Sequence, residues 1–250
     1  DLRDACLWGL RSSTRRRWPL ARALIERSTD EWARKTRRQN SLDDFEGVVQ
    51  VARHVREPIV CGLARCIKKD IDAAADALKK ARRGRIHVFL ATSKLHLQYK
   101  FKKKEDDIVK IAREWVTYAR KKCDDIEFSP EDATRTDRDF LYRIVEEAIK
   151  CGATTINIPD TVGYSYPDEM YNLIKGIREN VPNIGKAVIA VHCHNDLGMA
   201  TANSIHAIAA GARQVHCTVN GIGERAGNAS LEEIVMTIKT RKDVFANIAH

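Results

Sequence analysis

Six times from residue 58 onward, a short apolar run is followed by an amphipathic stretch, and no other feature of the sequence restricts the fold as much. The runs at 58–64, 85–92, 125–128, 154–158, 187–191 and 214–219 have the length and composition of strands. The stretches at 70–80, 105–121, 137–150, 167–179, 198–210 and 231–240 read as helices. Strands that each feed a helix, at intervals of about 30 residues, form a parallel sheet with helices outside it. Such a sheet either closes as a (β/α)8 barrel or stays open and doubly wound. No Gly-x-Gly-x-x-Gly follows an early strand, which removes the best support for a dinucleotide fold. A further helix, capped by Ser41 or Asp43, carries Phe45, Val48, Val49, Ala52 and Val55 on its apolar face. One unit beginning at Asp1 and one hidden before Asp43 bring the count to eight. The sequence therefore predicts an α/β fold, a (β/α)8 TIM barrel with degenerate or truncated N-terminal strands, and 250 residues is a usual size for one such catalytic domain.

Residues 1–40 fit this pattern least. Between Arg11 and Arg38 ten basic residues face three acidic ones, which accounts for most of the formal net charge of +9. Those charges lie in a stretch of poor periodicity, so a nucleic-acid partner is not expected. A helix over 20–31, with Pro19 near its start, is the one element the segment suggests. No run is apolar enough to cross a membrane, and the N-terminus shows no signal-peptide pattern. Seven cysteines without tight pairing point to a reducing compartment, and so to the cytoplasm.

In a barrel, chemistry gathers at the C-terminal ends of the strands. The run at 187–191 leads into His192-Cys193-His194-Asn195-Asp196-Leu197-Gly198. Alternation puts His192 and His194 on one side and turns Cys193 to the other. Two imidazoles projecting together suit a first-row divalent ion. Two histidines satisfied by backbone carbonyls would read the same way. The other strand ends add Arg3, Asp4, Arg65, Thr92, Ser93, Glu127, Glu131, Asp132, Asp160, Thr161, Asn220, Glu224, Arg225 and Asn228. Singly these are ordinary loop residues. Together they line one rim with the oxygen and nitrogen donors of a hydrated metal site. Cys66, Cys123, Cys151, Cys193 and Cys217 lack zinc-knuckle spacing, and Cys193 and Cys217 read as small core residues facing the helices. The glycines between Gly221 and Asn228 let a backbone approach a ligand closely.

Five segments carry a recognisable signature: Cys61-Gly62-Leu63-Ala64-Arg65, Phe128-Ser129-Pro130-Glu131-Asp132-Ala133, Asn157-Ile158-Pro159-Asp160-Thr161-Val162-Gly163-Tyr164, the His192 segment, and Asn220-Gly221-Ile222-Gly223-Glu224-Arg225-Ala226-Gly227-Asn228. They resemble the 2-isopropylmalate synthase family, in the superfamily that also holds homocitrate synthase, citramalate synthase and hydroxymethylglutaryl-CoA lyase. The likeness runs from about Asp43 to Arg241. It implies a (β/α)8 barrel that condenses acetyl-CoA with 3-methyl-2-oxobutanoate in leucine biosynthesis and then hydrolyses the thioester. It also implies a homodimer. The implied cofactor is a divalent metal, Mn2+ first with Mg2+ or Zn2+ as alternatives, on Asp4, His192, His194 and Asn228. Arg3 matches an arginine that stabilises charge on the carbonyl oxygens, and Glu131 an acidic residue beside the reaction centre. Thr161 matches a hydroxyl that holds the carboxylate of the 2-oxo acid, with Arg65 as a second substrate-binding residue. The base that takes the acetyl proton stays open between Glu131 and a water chain linked to His194.

The chain departs from the family at its start. Leu2-Arg3-Asp4 continues as Ala5-Cys6-Leu7-Trp8, where the family's first motif continues with glycine and polar residues, and 34–41 hold basic residues in place of a strand end. Preserved length with arginine-rich content suggests a reading-frame disturbance or a diverged module. The family's C-terminal regulatory domain is expected to be absent. Two readings compete: an enzyme of this type, with homocitrate or citramalate synthase as sister specificities, and a catalytically silent barrel fragment or binding protein.

Overall fold

The computed structural model describes residues 42–245. Helix α1 (Leu42–His54) leads into β1 (Val60–Arg65), α2 (Lys68–Ala77), β2 (Gly84–Ala91), α3 (Glu105–Arg120), β3 (Ile126–Glu131) and α4 (Arg138–Lys150). Then come β4 (Thr155–Asp160), α5 (Pro167–Asn180), β5 (Val188–Cys193), α6 (Ala200–Ala210), β6 (Gln214–His216), α7 (Leu231–Thr240) and α8 (Lys242–Phe245). The six strands pair in chain order and all in parallel. All six expected strand–helix units are present. The two units assigned to the N-terminal region, with Arg3 and Asp4, lie outside the described residues.

Local chemistry accounts for the helix starts. The Asp137 carboxylate accepts from the Asp139 N–H at 3.2 Å at the head of α4. Pro167 opens α5, where Glu169 reaches back to the Tyr166 N–H at 3.2 Å. Two features differ from expectation. Strand β6 stops at His216 rather than running to 219, Thr218 forms only an isolated bridge with Ser230, and Asn220 then turns the chain with a φ of 57°. A π-helical turn at His96–Phe101, ended by Lys102 in the left-handed region, follows β2.

Contacts between distant strands show that the sheet is curled. In a flat sheet β2 and β6 would stand about 19 Å apart. Yet the Arg85 guanidinium on β2 donates to Gln214 Oε1 on β6 at 2.8 Å. Glu127 on β3 likewise lies 2.8 Å from His216 Nε2 on β6. The strands therefore wrap around a shared interior.

Alternation sorts the two faces. Ile86, Val88, Phe128, Ile156, Ile158 and Val191 join the surrounding helices in one apolar core. The intervening residues Arg85, His87, Glu127, Ser129, Asn157, Gln214 and His216 hydrogen-bond or pair with one another inside the curl. Branched apolar side chains ordinarily fill a barrel of this kind. Here the interior is polar.

Candidate metal centre

Strand β5 ends in two imidazoles whose Nε2 atoms stand 3.0 Å apart. His194 is buried, and its Nδ1 lies 2.6 Å from the Thr161 carbonyl oxygen. A carbonyl can only accept, so the proton sits on Nδ1 and the His194 Nε2 lone pair faces His192. Burial, followed by the neighbouring imidazoles of His216 and His194, holds His192 well below the ordinary 6.5 and keeps it neutral. Neutral imidazole is the form that binds a metal.

The loop after β6 folds back onto this strand end. His194 and Asn228 form an antiparallel bridge, flanked by Asn195 N–H to Gly227 O at 2.8 Å and Ala229 N–H to Cys193 O at 3.2 Å. Residues paired in this way present side chains on one face, about 5 Å apart. A Cβ at position 223 would come within 2.5 Å of Asn228 Nδ2, so glycine there leaves room for the Asn228 amide in its present place. The Asn228 Oδ1 atom is buried and accepts no hydrogen bond within the described residues.

Two imidazole nitrogens beside an unpartnered amide oxygen fit a divalent cation. Cis ligands of an octahedral ion with bonds of about 2.1 Å stand about 3.0 Å apart, and tetrahedral ligands about 3.4 Å. The separation of 3.0 Å lies within the range that two ligands of one divalent ion can take.

Thr161 joins this group through both of its oxygens. Its hydroxyl accepts the Asp132 N–H at 2.9 Å, which leaves the hydroxyl proton free to donate. Its carbonyl accepts from His194 and from the Arg225 guanidinium, the latter at 3.0 Å. Asp132 is fully buried with a φ of 67°, pairs with Arg135 Nε at 2.8 Å and lies 3.3 Å from His96 Nδ1.

Glu131 and Arg65 are engaged elsewhere. The Glu131 carboxylate lies 3.4 Å from Lys100 Nζ and 3.9 Å from His96 Nε2, both on the π-helical turn. The Arg65 guanidinium forks onto Asp70 of α2 at 2.6 and 3.2 Å, with part of its surface still exposed. The structure thus gathers Thr161, His192, His194 and Asn228, and sets Glu131 and Arg65 into ion pairs of their own. Cys193 and Cys217 are core residues, and burial pushes both thiols up to about 12.

A second donor group lies in the curl. Ligand atoms of Cys61, His87 and Glu127 all fall within 4.8 Å of one another and could hold a metal ion. Glu127 is therefore an interior residue of β3, not the rim residue that its strand position suggested. Its carboxylate meets Arg85 Nη1 and Gln214 Nε2, each at 3.2 Å, and His216 Nε2 at 2.8 Å. Burial alone would raise its pKa, but His216, His87 and Arg85 outweigh burial and hold it below the usual carboxylate range. Burial pushes His87 down to about 4, against the pull of Glu127. The Arg85 cation already compensates the carboxylate, and a thiol is a soft donor ill-suited to Mn2+ or Mg2+. Sequence reasoning overlooked this layer. Its signal was polar residues two apart within strands: Arg85 and His87, Glu127 and Ser129, Gln214 and His216.

The HMGL-like family model matches residues 21–250. The 2-isopropylmalate synthase of Aquifex aeolicus is 56% identical over 208 residues, covering 83% of this chain and 40% of that protein. The 2-isopropylmalate synthase of Rhodopirellula baltica is 59% identical over 205 residues, covering 82% of this chain and 39% of that protein. The chain thus spans about two-fifths of the length of the curated relatives it matches. Among solved structures, an HMG-CoA lyase from Acinetobacter baumannii in complex with coenzyme A and 3-methylmalate superposes with a TM-score of 0.64 at 18% identity. That match covers 83% of this chain and 71% of the lyase, and it shows a shared fold.

Proposed function

The chain belongs to the HMGL-like family, and on that premise we propose that it is the catalytic barrel of a cytoplasmic, homodimeric 2-isopropylmalate synthase. Its substrates are then acetyl-CoA and 3-methyl-2-oxobutanoate. The observation that carries this reading is the imidazole pair at 3.0 Å, with the His194 proton held away from it by the Thr161 carbonyl. The identity to 2-isopropylmalate synthases above 50% over the same segment supports it.

His192, His194 and Asn228 hold a divalent cation, Mn2+ before Mg2+; Asp4 and Arg3, which the family resemblance adds to this set, lie outside the described residues. When bound, that cation polarises the keto group of the 2-oxo acid as a Lewis acid. The Thr161 hydroxyl, its oxygen fixed by the Asp132 N–H, donates to the substrate carboxylate. Arg65 adds a cation at the end of β1. The proton of the acetyl methyl goes to Glu131, which is paired with Lys100, or to a water linked to His194.

The test is Mn2+-dependent release of free CoA from acetyl-CoA with 3-methyl-2-oxobutanoate by the purified, folded chain. Release is expected, with a fall of at least about 100-fold in His194→Ala. No release from folded, Mn2+-loaded protein overturns the enzymatic reading and favours a silent barrel. Release only with another 2-oxo acid moves the specificity to a homocitrate or citramalate synthase.

A further inference from the structure

Arg225 joins three rim segments at one point. Its Nε and Nη2 atoms donate to Asp196 Oδ1 and Oδ2 at 2.7 and 2.8 Å, a bidentate fork. Nη2 also donates to the Thr161 carbonyl oxygen at 3.0 Å. That oxygen is the one that His194 Nδ1 approaches to 2.6 Å. The guanidinium is thus tied to the segment after β4, to the segment after β5 and to its own loop after β6. The loop bends to deliver it, with Arg225 itself at a φ of 54°, which is uncommon outside glycine.

Proton placement follows from donor counting. Arg225 Nη2 also lies 2.9 Å from His194 Nδ1. Two N–H groups cannot donate to each other, and His194 Nδ1 stands closer to the Thr161 oxygen, at 2.6 Å, than to Arg225 Nη2, at 2.9 Å. The imidazole proton points at that oxygen, and Arg225, 3.0 Å from it, donates there too. His194 Nδ1–H and Arg225 Nη2–H therefore share the Thr161 oxygen, one on each lone pair. In the other tautomer of His194 the proton would sit on Nε2, between the two rings, where it removes the lone pair that faces the cation. Arg225 could then donate to the bare Nδ1, but that lone pair would face the Thr161 oxygen at 2.6 Å, acceptor against acceptor, and it is the fixed carbonyl that disfavours this tautomer.

We infer that Arg225, locked by Asp196, is a positioning residue that fixes the Thr161 carbonyl and thereby holds His194 as the Nδ1–H tautomer, its Nε2 lone pair presented for a divalent cation. This rests on the reading that His192, His194 and Asn228 form the cation site. Partners of this kind orient a ligating imidazole, and their loss typically weakens metal binding by about 10- to 100-fold. Lysine is no substitute, because a single ammonium cannot reproduce the planar fork onto Asp196 while reaching Thr161.

The test uses the metal-free full chain and two readouts besides activity. The first is the 15N chemical shift pattern of the His194 ring, which reports its tautomer. The second is Mn2+ affinity by electron paramagnetic resonance. Wild type is expected to show Nδ1–H alone. Arg225→Ala is expected to show a mixture of tautomers and Mn2+ binding about 10- to 100-fold weaker, with guanidinium ion in the buffer recovering both. Arg225→Lys should fall between. Asp196→Asn retains the Arg225 side chain but loosens its fork, and tests the lock if Arg225→Ala fails to fold, with a smaller change in the same direction. A folded Arg225→Ala protein with an unchanged tautomer, or with wild-type Mn2+ affinity, overturns the inference. Absence of Mn2+ binding by the wild type overturns the cation-site reading instead, and the tautomer measurement tells the two failures apart.

Discussion

Arg85 and Glu127 form an ion pair at 3.2 Å inside the curl of the sheet, with both side chains almost wholly shielded from water. Removing Glu127 takes one carboxylate from Arg85, which keeps Asp125 Oδ1 2.9 Å from its Nε, and takes a buried partner from His216. Glu127→Ala is expected to destabilise the fold by about 1–3 kcal/mol, read from the midpoint of urea unfolding. The double replacement Arg85→Met with Glu127→Leu should recover most of that loss, because desolvation offsets much of what such a pair contributes. A double variant no more stable than Glu127→Ala would show that the pair itself carries the stability.

The same layer sets an acid limit on stability. Burial keeps His87 neutral down to about 4, whereas in the unfolded chain it protonates near 6.5. Between those values the unfolded state binds more protons, so stability falls as pH is lowered through that window. The loss from His87 alone reaches about 3 kcal/mol. Glu127, held below the usual carboxylate range, contributes stability at neutral pH that is lost at still lower pH, in the same direction. His87→Gln should reduce the slope of the stability curve between pH 4 and 6.5, with His192, also kept neutral by burial, carrying part of what remains. Urea midpoints of the metal-free protein across this range are the measurement, and an unchanged slope would rule out His87 as the cause.

Two donor groups lie within reach of the barrel interior, and they predict different metals. If the cation sits on His192, His194 and Asn228, Cys61→Ser should leave Mn2+ affinity within about twofold, while Asn228→Ala weakens it about tenfold or more. If it sits on Cys61, His87 and Glu127, the order reverses, and Zn2+ should displace Mn2+ with a thiolate signature. Isothermal titration of the three proteins with each metal separates the cases.

The repeat of strand and helix was legible because both faces of each strand differ in one property at a time. The outward residues Ile86, Phe128, Ile156 and Val191 are apolar and locate the sheet, whatever lies inside it. His192 and His194 were legible for the same reason, as two polar residues in alternation at a strand end. The interior layer was not, because Arg85, Glu127 and Gln214 stand 42 and 87 residues apart in sequence and meet only when the sheet curls. The lock between Arg225 and Asp196 was hidden in a similar way. Each residue belongs to a motif that marks the family, but their pairing depends on Arg225 taking a backbone conformation that its side chain does not announce.

Gly163 offers a test of how tightly the rim is packed. It has a φ of +66°, and a Cβ there would collide with Asp196 Oδ2 and stand 2.9 Å from the Asp196 nitrogen and 3.0 Å from the His194 carbonyl carbon. An alanine would therefore meet a double penalty, from the left-handed backbone and from a neighbour that is backbone and cannot swing aside. Gly163→Ala is expected to cost about 1–3 kcal/mol of stability. The clash falls on Asp196, which locks Arg225, so Mn2+ affinity should drop along with stability. Gly185→Ala is the control, since a Cβ at that position meets nothing within 4 Å, and it should change stability by less than about 0.5 kcal/mol. Unfolding midpoints and Mn2+ titrations of the two variants read both effects. A Gly163→Ala protein that loses stability but binds Mn2+ as tightly as wild type would separate the packing of this turn from the geometry of the cation site.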